Sequence, residues 1–260
     1  MRVRMTVIMT LAAPLLMAVH VFALPGTDPL PGFGARSVVF SGYRWQVKES
    51  RVPMGPMANL FGGSAKSVSV DISGSLIMRI IEDKNAWYAS EIGLDHPLGW
   101  GTYTLHLRGF VNRFDPNVVL GIFTWDNEPE EAHRELDIEF SEWGGDTSPD
   151  NAQFVVQPWD GESNLHRFRF DQGVADFSCS IDWKPGGARF AVWDGHGHKP
   201  PPGDVSLYRE WTRTGFQIPA PGNERFRINF YLNKGSAPKD RKVAEITMTA
   251  FSFEPYGGKD

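Results

Sequence analysis

The sequence predicts an all-β fold, a jelly-roll sandwich of two curved antiparallel sheets. Three observations lead there. Segments that alternate apolar and polar residues recur along most of the chain. One segment, VVLGIFTW at 118–125, is apolar almost throughout, as a strand covered on both faces would be. Gly, Pro, Asn or Asp punctuates most of the gaps, and no helical stripe extends beyond about ten residues.

The elements follow in order. SVSVDISGSLIMRII (67–81) alternates and turns at Ser73-Gly74. AWYASEIGL (86–94) and TYTLHLRGFV (102–111) continue the pattern, and the buried run 118–125 comes next. RELDIEF (134–140), NAQFVVQPW (151–159), HRFRF (166–170), FSCSIDW (177–183) and ARFAVWDG (188–195) read as further strands. FRINFYLN (226–233) and VAEITMTAFSFEP (243–255) close the chain. Many short strands in 260 residues fit two stacked sheets better than any helical architecture.

The ends are read separately. Arg2 and Arg4 precede an apolar stretch, and Val21 and Ala23 are the small residues of a cleavage site. Residues 1–23 are therefore expected to be a secretory signal peptide, with an uncleaved anchor as the alternative. Pro- and Gly-rich residues 24–37 are expected to be a flexible lead-in, and one domain is expected over 38–257. Cleavage removes two positive charges and moves the formal charge from −5 to −7. With no basic block and no second spanning-length apolar run, neither nucleic-acid binding nor membrane association after cleavage is expected. The single cysteine, Cys179, cannot form an internal disulfide and reads as a small buried residue. The expectation is a monomer that is secreted or periplasmic.

The chemistry concentrates in Glu135-Leu136-Asp137-Ile138-Glu139. On a strand, side chains alternate between faces, so Glu135, Asp137 and Glu139 share one face and Leu136, Ile138 and Phe140 the other. Like charges in a row on one face repel, and function is a reason to tolerate that cost. Glycoside hydrolysis uses one carboxylate to attack the anomeric carbon and a second carboxyl group to protonate the leaving oxygen. Repulsion keeps at least one of them protonated near neutral pH. About 13 Å of backbone separates Glu135 from Glu139, whereas a retaining mechanism needs carboxyl groups about 5–5.5 Å apart. The reading thus requires a curved sheet with this face on its concave side. The alternative is a solvated strand face offset by Lys or Arg opposite.

The segment GIFTWDNEPEEAHRELDIEFSEWG (121–144) resembles the catalytic region of glycoside hydrolase family 16. The surrounding AWYASEIGL, LGWGTYTLHLRG, LHRFRF, FSCSIDWKPGGARFAVWDG, RINFYLN and ITMTAFSFEP resemble that family's strands in the same order. The resemblance implies a concanavalin A-like jelly roll and a retaining double displacement on a polysaccharide. It also implies roles: Glu135 as nucleophile, Asp137 as its assistant, Glu139 as general acid/base. The unbulged E-x-D-x-E spacing is typical of the lichenase and transglycosylase branches and hints at a β-glucan-like backbone. Transglycosylation on the same scaffold, and a noncatalytic carbohydrate-binding jelly roll, are the alternatives.

Further candidates surround the motif. The chain holds nine Trp, whose flat apolar bodies and polar handles suit sugar faces as well as cores. Trp125, Trp143 and Trp159 are candidate stacking residues, and Gln157 a candidate partner for a sugar hydroxyl. His133 falls on the same face as Glu135 if the strand begins that early. Asn229 and Tyr231 alternate onto one face of their strand and are weaker candidates. One of Trp87 and Trp100 is a further cleft candidate, while Trp183 and Trp193 read as structural. His166 is either a subsite residue or a strand-edge one. His196 and His198 stand at metal-ligand spacing, but in a Gly/Pro loop, so no metal and no cofactor is expected.

Overall fold

The computed structural model describes residues 30, 32–145, 148–197 and 207–258; the expected signal peptide lies outside the described residues. Among the described residues the strands are, in order, β1 Phe33–Phe40, β2 Tyr43–Lys48, β3 Leu60–Phe61, β4 Val68–Val70, β5 Leu76–Asp83, β6 Ala86–Leu94, β7 Gly101–Arg108 and β8 Val118–Trp125. Then come β9 Leu136–Phe140, β10 Ala152–Val156, β11 Leu165–Phe168, β12 Asp176–Lys184, β13 Gly187–Asp194, β14 Leu207–Thr214, β15 Arg225–Leu232 and β16 Ala244–Pro255. No helix of the described residues is long and apolar enough to cross a membrane.

The strands form the predicted jelly-roll sandwich of two curved antiparallel sheets. The front sheet runs β11-β10-β9-β8-β15-β6-β2-β1. The back sheet runs β14-β13-β12-β7-β16-β5-β4. Strand β6 belongs to both. Its first residues, Ala86–Tyr88, pair with the end of β5. Its later residues, Ser90–Gly93, pair with β15, and Ile92–Leu94 pair with β2. The short β3 adds to β6 in parallel.

Alternation explains the layers. Leu136, Ile138 and Phe140 point backward and are fully buried, as are Ile228 and Phe230 on β15. They meet Ile181, Cys179 and Phe177 of β12 and Phe190 of β13 across the core. Each such side chain contributes about 1.5–3 kcal/mol by leaving water. Trp183 and Trp193 are buried, as the sequence predicts. Trp87 and Trp100 pack against the core and do not reach the cleft described below.

One boundary differs from expectation. The first strand begins at Phe33, ahead of Val38, and Phe33 pairs with Lys48. Leu30 is also buried, lying over Gly93, where an added Cβ would approach the Leu30 Cδ1 to 2.9 Å. The Gly- and Pro-rich composition masked this strand, because an outer strand tolerates glycine that a central one would not.

Candidate active site

The forward face of the front sheet is concave and lines a cleft of about 510 Å³. Strand β9 supplies its floor. It runs in unbroken register with β8 on one side and β10 on the other, so the E-x-D-x-E spacing carries no bulge. Glu139 lies between Gly121 and Gln153, and Asp137 between Phe123 and Val155. Glu135 sits one residue before the strand, and its carbonyl accepts the Gln157 N–H at 3.1 Å. All three carboxylates line the cleft. The carboxylate face is therefore the inner wall of a cleft and not a flat or convex surface.

The chain enters β9 through a tight turn. Ala132, His133 and Arg134 adopt left-handed φ values of 47°, 58° and 50°. Thr124 locks the turn, donating its hydroxyl to the Arg134 carbonyl at 2.7 Å and accepting the Leu136 N–H at 3.1 Å. Arg134 pairs with the buried Asp126. The expectation that strand geometry extends back to His133 is thus corrected, since alternation stops where φ changes sign. His133 does not line the cleft. It stacks on Trp125 with ring centroids 3.9 Å apart and planes at 9°, bracing an indole that does.

Each carboxylate has its own partners. Glu139 accepts from the Gln153 amide at 2.5 Å and from the Tyr231 hydroxyl at 3.1 Å. The Gln153 oxygen in turn accepts Arg167 Nε at 2.8 Å, which fixes the amide's orientation. The Arg167 guanidinium lies 4.6 Å over the Trp143 ring. Glu135 and Asp137 share a hydrogen bond, so one of the two carries the proton. Gln157 also bonds Asp137. Its oxygen accepts the Trp159 N–H at 2.8 Å, which leaves the Gln157 NH₂ to donate to Asp137.

These surroundings raise all three acids. Burial is the largest cause in each case. Glu135 is pushed up to about 8, with the Glu139 charge adding to burial and Arg227 opposing it. Asp137 is raised well above the carboxylate range by burial and by the Glu135 and Glu139 charges. Glu139 is raised by burial, against the pull of Gln153, Tyr231 and Arg167. The cluster therefore retains protons at neutral pH and titrates as a unit. Chemically it offers a proton donor at one end of a row and an attacking oxygen at the other.

The remaining candidates separate cleanly. Trp125, Trp143, Gln157, Trp159, Asn229 and Tyr231 line the cleft, with Trp159 exposed at its rim. His166 stacks instead on Trp211, at 5.9 Å and 10°. His196 sets Nε2 against the Leu107 carbonyl at 2.7 Å, and His198 lies outside the described residues. Sequence reasoning missed Lys48, Glu91, Gln153, Arg167 and Arg227, all of which line the cleft. For Glu91 the signal was a lone charge in AWYASEIGL and for Gln153 a lone polar side chain in AQFVV, whereas the strands of Lys48, Arg167 and Arg227 carry other polar residues that hide them.

No protein-family model matches the chain, and no curated protein matches it. Solved structures do. A β-glucanase from Bacillus licheniformis superposes with a TM-score of 0.60 at 17% identity, covering 82% of this chain and 92% of that one. A prokaryotic β-1,3-1,4-glucanase (lichenase) from a mouse hindgut metagenome gives 0.57 at 16% identity, covering 82% and 93%. A Mycobacterium tuberculosis protein described as an immunostimulatory antigen and pseudo β-1,3-glucanase gives 0.55 at 19% identity, covering 79% and 88%. At these identities the similarity establishes the fold.

Proposed function

We propose that this protein is a glycoside hydrolase of the family 16 type, cleaving internal linkages of a β-glucan-like polysaccharide with retention of configuration. One observation carries the reading. Three carboxylates occupy one concave strand face, and the outer two are held by different partners. The fold shared with β-glucanases supports it, although the fold also occurs in a protein described as a pseudo β-1,3-glucanase.

In this reading Glu135 attacks the anomeric carbon as Glu139 gives its proton to the departing glycosidic oxygen. The carbon–oxygen bond to the leaving sugar breaks, and an ester to Glu135 forms. Asp137, bonded to Glu135, keeps the cluster's proton while Glu135 gives up its charge. Glu139, now ionised, takes a proton from water, and the resulting attack on the anomeric carbon frees Glu135. Burial favours the protonated Glu139 that the first step needs. Transfer to a second sugar uses the same residues, and products formed with an acceptor oligosaccharide distinguish it from hydrolysis. No cofactor takes part in these steps. Arg2, Arg4 and the small residues Val21 and Ala23 support export, so the site of action is outside the cytoplasm.

The test is reducing-end release from laminarin, mixed-linkage glucan, xyloglucan, agarose and carrageenan, with Glu135→Gln as the control. The expected result is turnover of a β-glucan by the wild type, loss of it in the variant, and an initial product of unchanged anomeric configuration by proton NMR. Full turnover by Glu135→Gln on every cleaved glycan would falsify the assignment.

A further inference from the structure

The Glu139 end of the carboxylate row sits in a line of polar groups that crosses three neighbouring strands. Arg167 of β11 stands directly across from Gln153 of β10, and Gln153 directly across from Glu139 of β9. The side chains are joined in that order, Arg167 Nε donating to Gln153 Oε1 at 2.8 Å and Gln153 Nε2 donating to Glu139 Oε2 at 2.5 Å. Arg167 is itself seated, its guanidinium lying 4.6 Å over the ring of Trp143. The Trp143 N–H is held by Ser141 Oγ at 2.8 Å, and that hydroxyl donates to the Val118 carbonyl at 2.9 Å. On the other flank of Glu139, β8 offers only Gly121, and Tyr231 reaches over from β15 to donate its hydroxyl to Oε1 at 3.1 Å.

The chemistry of these groups gives the line a direction. A guanidinium has N–H groups and no lone pair, so it can only donate. It takes the oxygen of the Gln153 amide and so turns the amide NH₂ toward Glu139. A flipped amide would set N–H against N–H at Arg167. Tyr231 carries no such constraint, because a phenol both donates and accepts and can follow the proton of its partner. Gln153 cannot, so Glu139 meets a fixed donor whether or not it is protonated. A carboxylate has about four lone-pair sites. Two donors thus leave room for a proton, and a donor that stays in place favours the anion left when that proton departs. The charged and titratable groups around Glu139 are Arg167 from β11, Tyr231 from β15, and Glu135 and Asp137 from its own segment. Arg227, Glu91 and Lys48, on β15, β6 and β2, also line the cleft and pair with one another.

We propose that Arg167 is a positioning residue for the general acid, acting through Gln153: it locks the amide as a donor to Glu139 and so readies Glu139 to give its proton to the departing oxygen. This rests on the reading of Glu139 as general acid/base. Without Arg167 the amide is free to turn its oxygen to Glu139, where it accepts the acid's proton and holds it back from the leaving group. The pulls on Glu139 agree in sign, burial raising its pKa while Gln153, Tyr231 and Arg167 each lower it.

The experiment is a pH titration of the Glu139 carboxyl by carbon-13 NMR in glutamate-labelled full-length protein, the signal being assigned by its loss in Glu139→Gln. Arg167 is exposed and lies on β11, at the end of the front sheet, so its replacement leaves the core intact. Arg167→Met is expected to move the Glu139 midpoint up by about one pH unit. Arg167→Lys is expected to recover most of that change, since an ammonium also only donates. In a Gln153→Leu background, Arg167→Met is expected to move the midpoint less than about half as far, because the amide that transmits its effect is gone. The alkaline limb of kcat/KM should follow each midpoint, whereas a merely structural role would scale the whole profile in place. No upward move in Arg167→Met, or half or more of the move persisting without Gln153, overturns the proposal. The titration needs no substrate, so failure to cleave any glycan counts against the proposed function and not against Arg167.

Discussion

Replacing Glu135 by Gln should make the protein more stable, and increasingly so as pH rises. The folded protein holds this carboxyl at about 8, against an ordinary value of 4.5. Between those values the native state binds a proton that the unfolded chain has released. Stability therefore falls as pH climbs from the lower value to the upper, and levels off above it. At 1.36 kcal/mol per pH unit of displacement, the ceiling is about 5 kcal/mol. Glu135 is only partly buried and shares its proton with Asp137. Both reduce the figure, to about 1–2 kcal/mol. Gln keeps the shape and the hydrogen bond to Asp137 without the charge. Urea unfolding followed by tryptophan fluorescence between about pH 4 and pH 9 would measure the difference. The variant should match the wild type at the acid end and exceed it at the alkaline end. A constant offset across the range, or a deficit that grows with pH, would refute the reasoning.

Three other perturbations test neighbouring parts. Gln153→Leu removes a donor that favours the ionised form of Glu139, so the alkaline limb of kcat/KM should move to higher pH. Gly121→Ala would place a Cβ 2.4 Å from the Asn229 Oδ1; the expected cost is about 1–3 kcal/mol of unfolding free energy, read by denaturant titration, together with weaker oligosaccharide binding. Trp159→Ala removes a ring that is 62% exposed at the rim. It should change stability by less than about 0.5 kcal/mol while raising KM for long oligosaccharides roughly twofold to tenfold, the scale of one stacking contact.

Strand content and the carboxylate face were legible because both depend on neighbours in sequence. Alternation within VAEITMTAFSFEP or RELDIEF needs no knowledge of what lies beside it. The spacing of Glu135, Asp137 and Glu139 likewise predicts a shared face from the two-residue repeat alone. His133 was misplaced because three consecutive left-handed residues end that repeat, and EEAHRE contains no glycine to announce them. The charged partners were hidden for another reason. Lys48, Glu91, Arg167 and Arg227 reach the cleft from four different strands. Which strands are neighbours, and at what register, is set by the closing of both sheets. A scan for lone charges in apolar strands would have found Glu91, but not its partners.

Strand β15 carries a consequence in time. It is made late in the chain, yet it lies between β8 and β6, near the middle of the front sheet. As synthesis proceeds from the N-terminus, β6, β8 and β9 emerge with a gap where Arg227, Asn229 and Tyr231 belong. Assembly must therefore wait for a distant segment to insert, the kind of long-range closure that makes β-rich chains slow to fold. A nascent chain displaying all three carboxylates would still lack the Tyr231 contact to Glu139 and the Arg227 charge on the cleft wall. Onset of turnover during refolding would then serve as a clock for the insertion of that one strand.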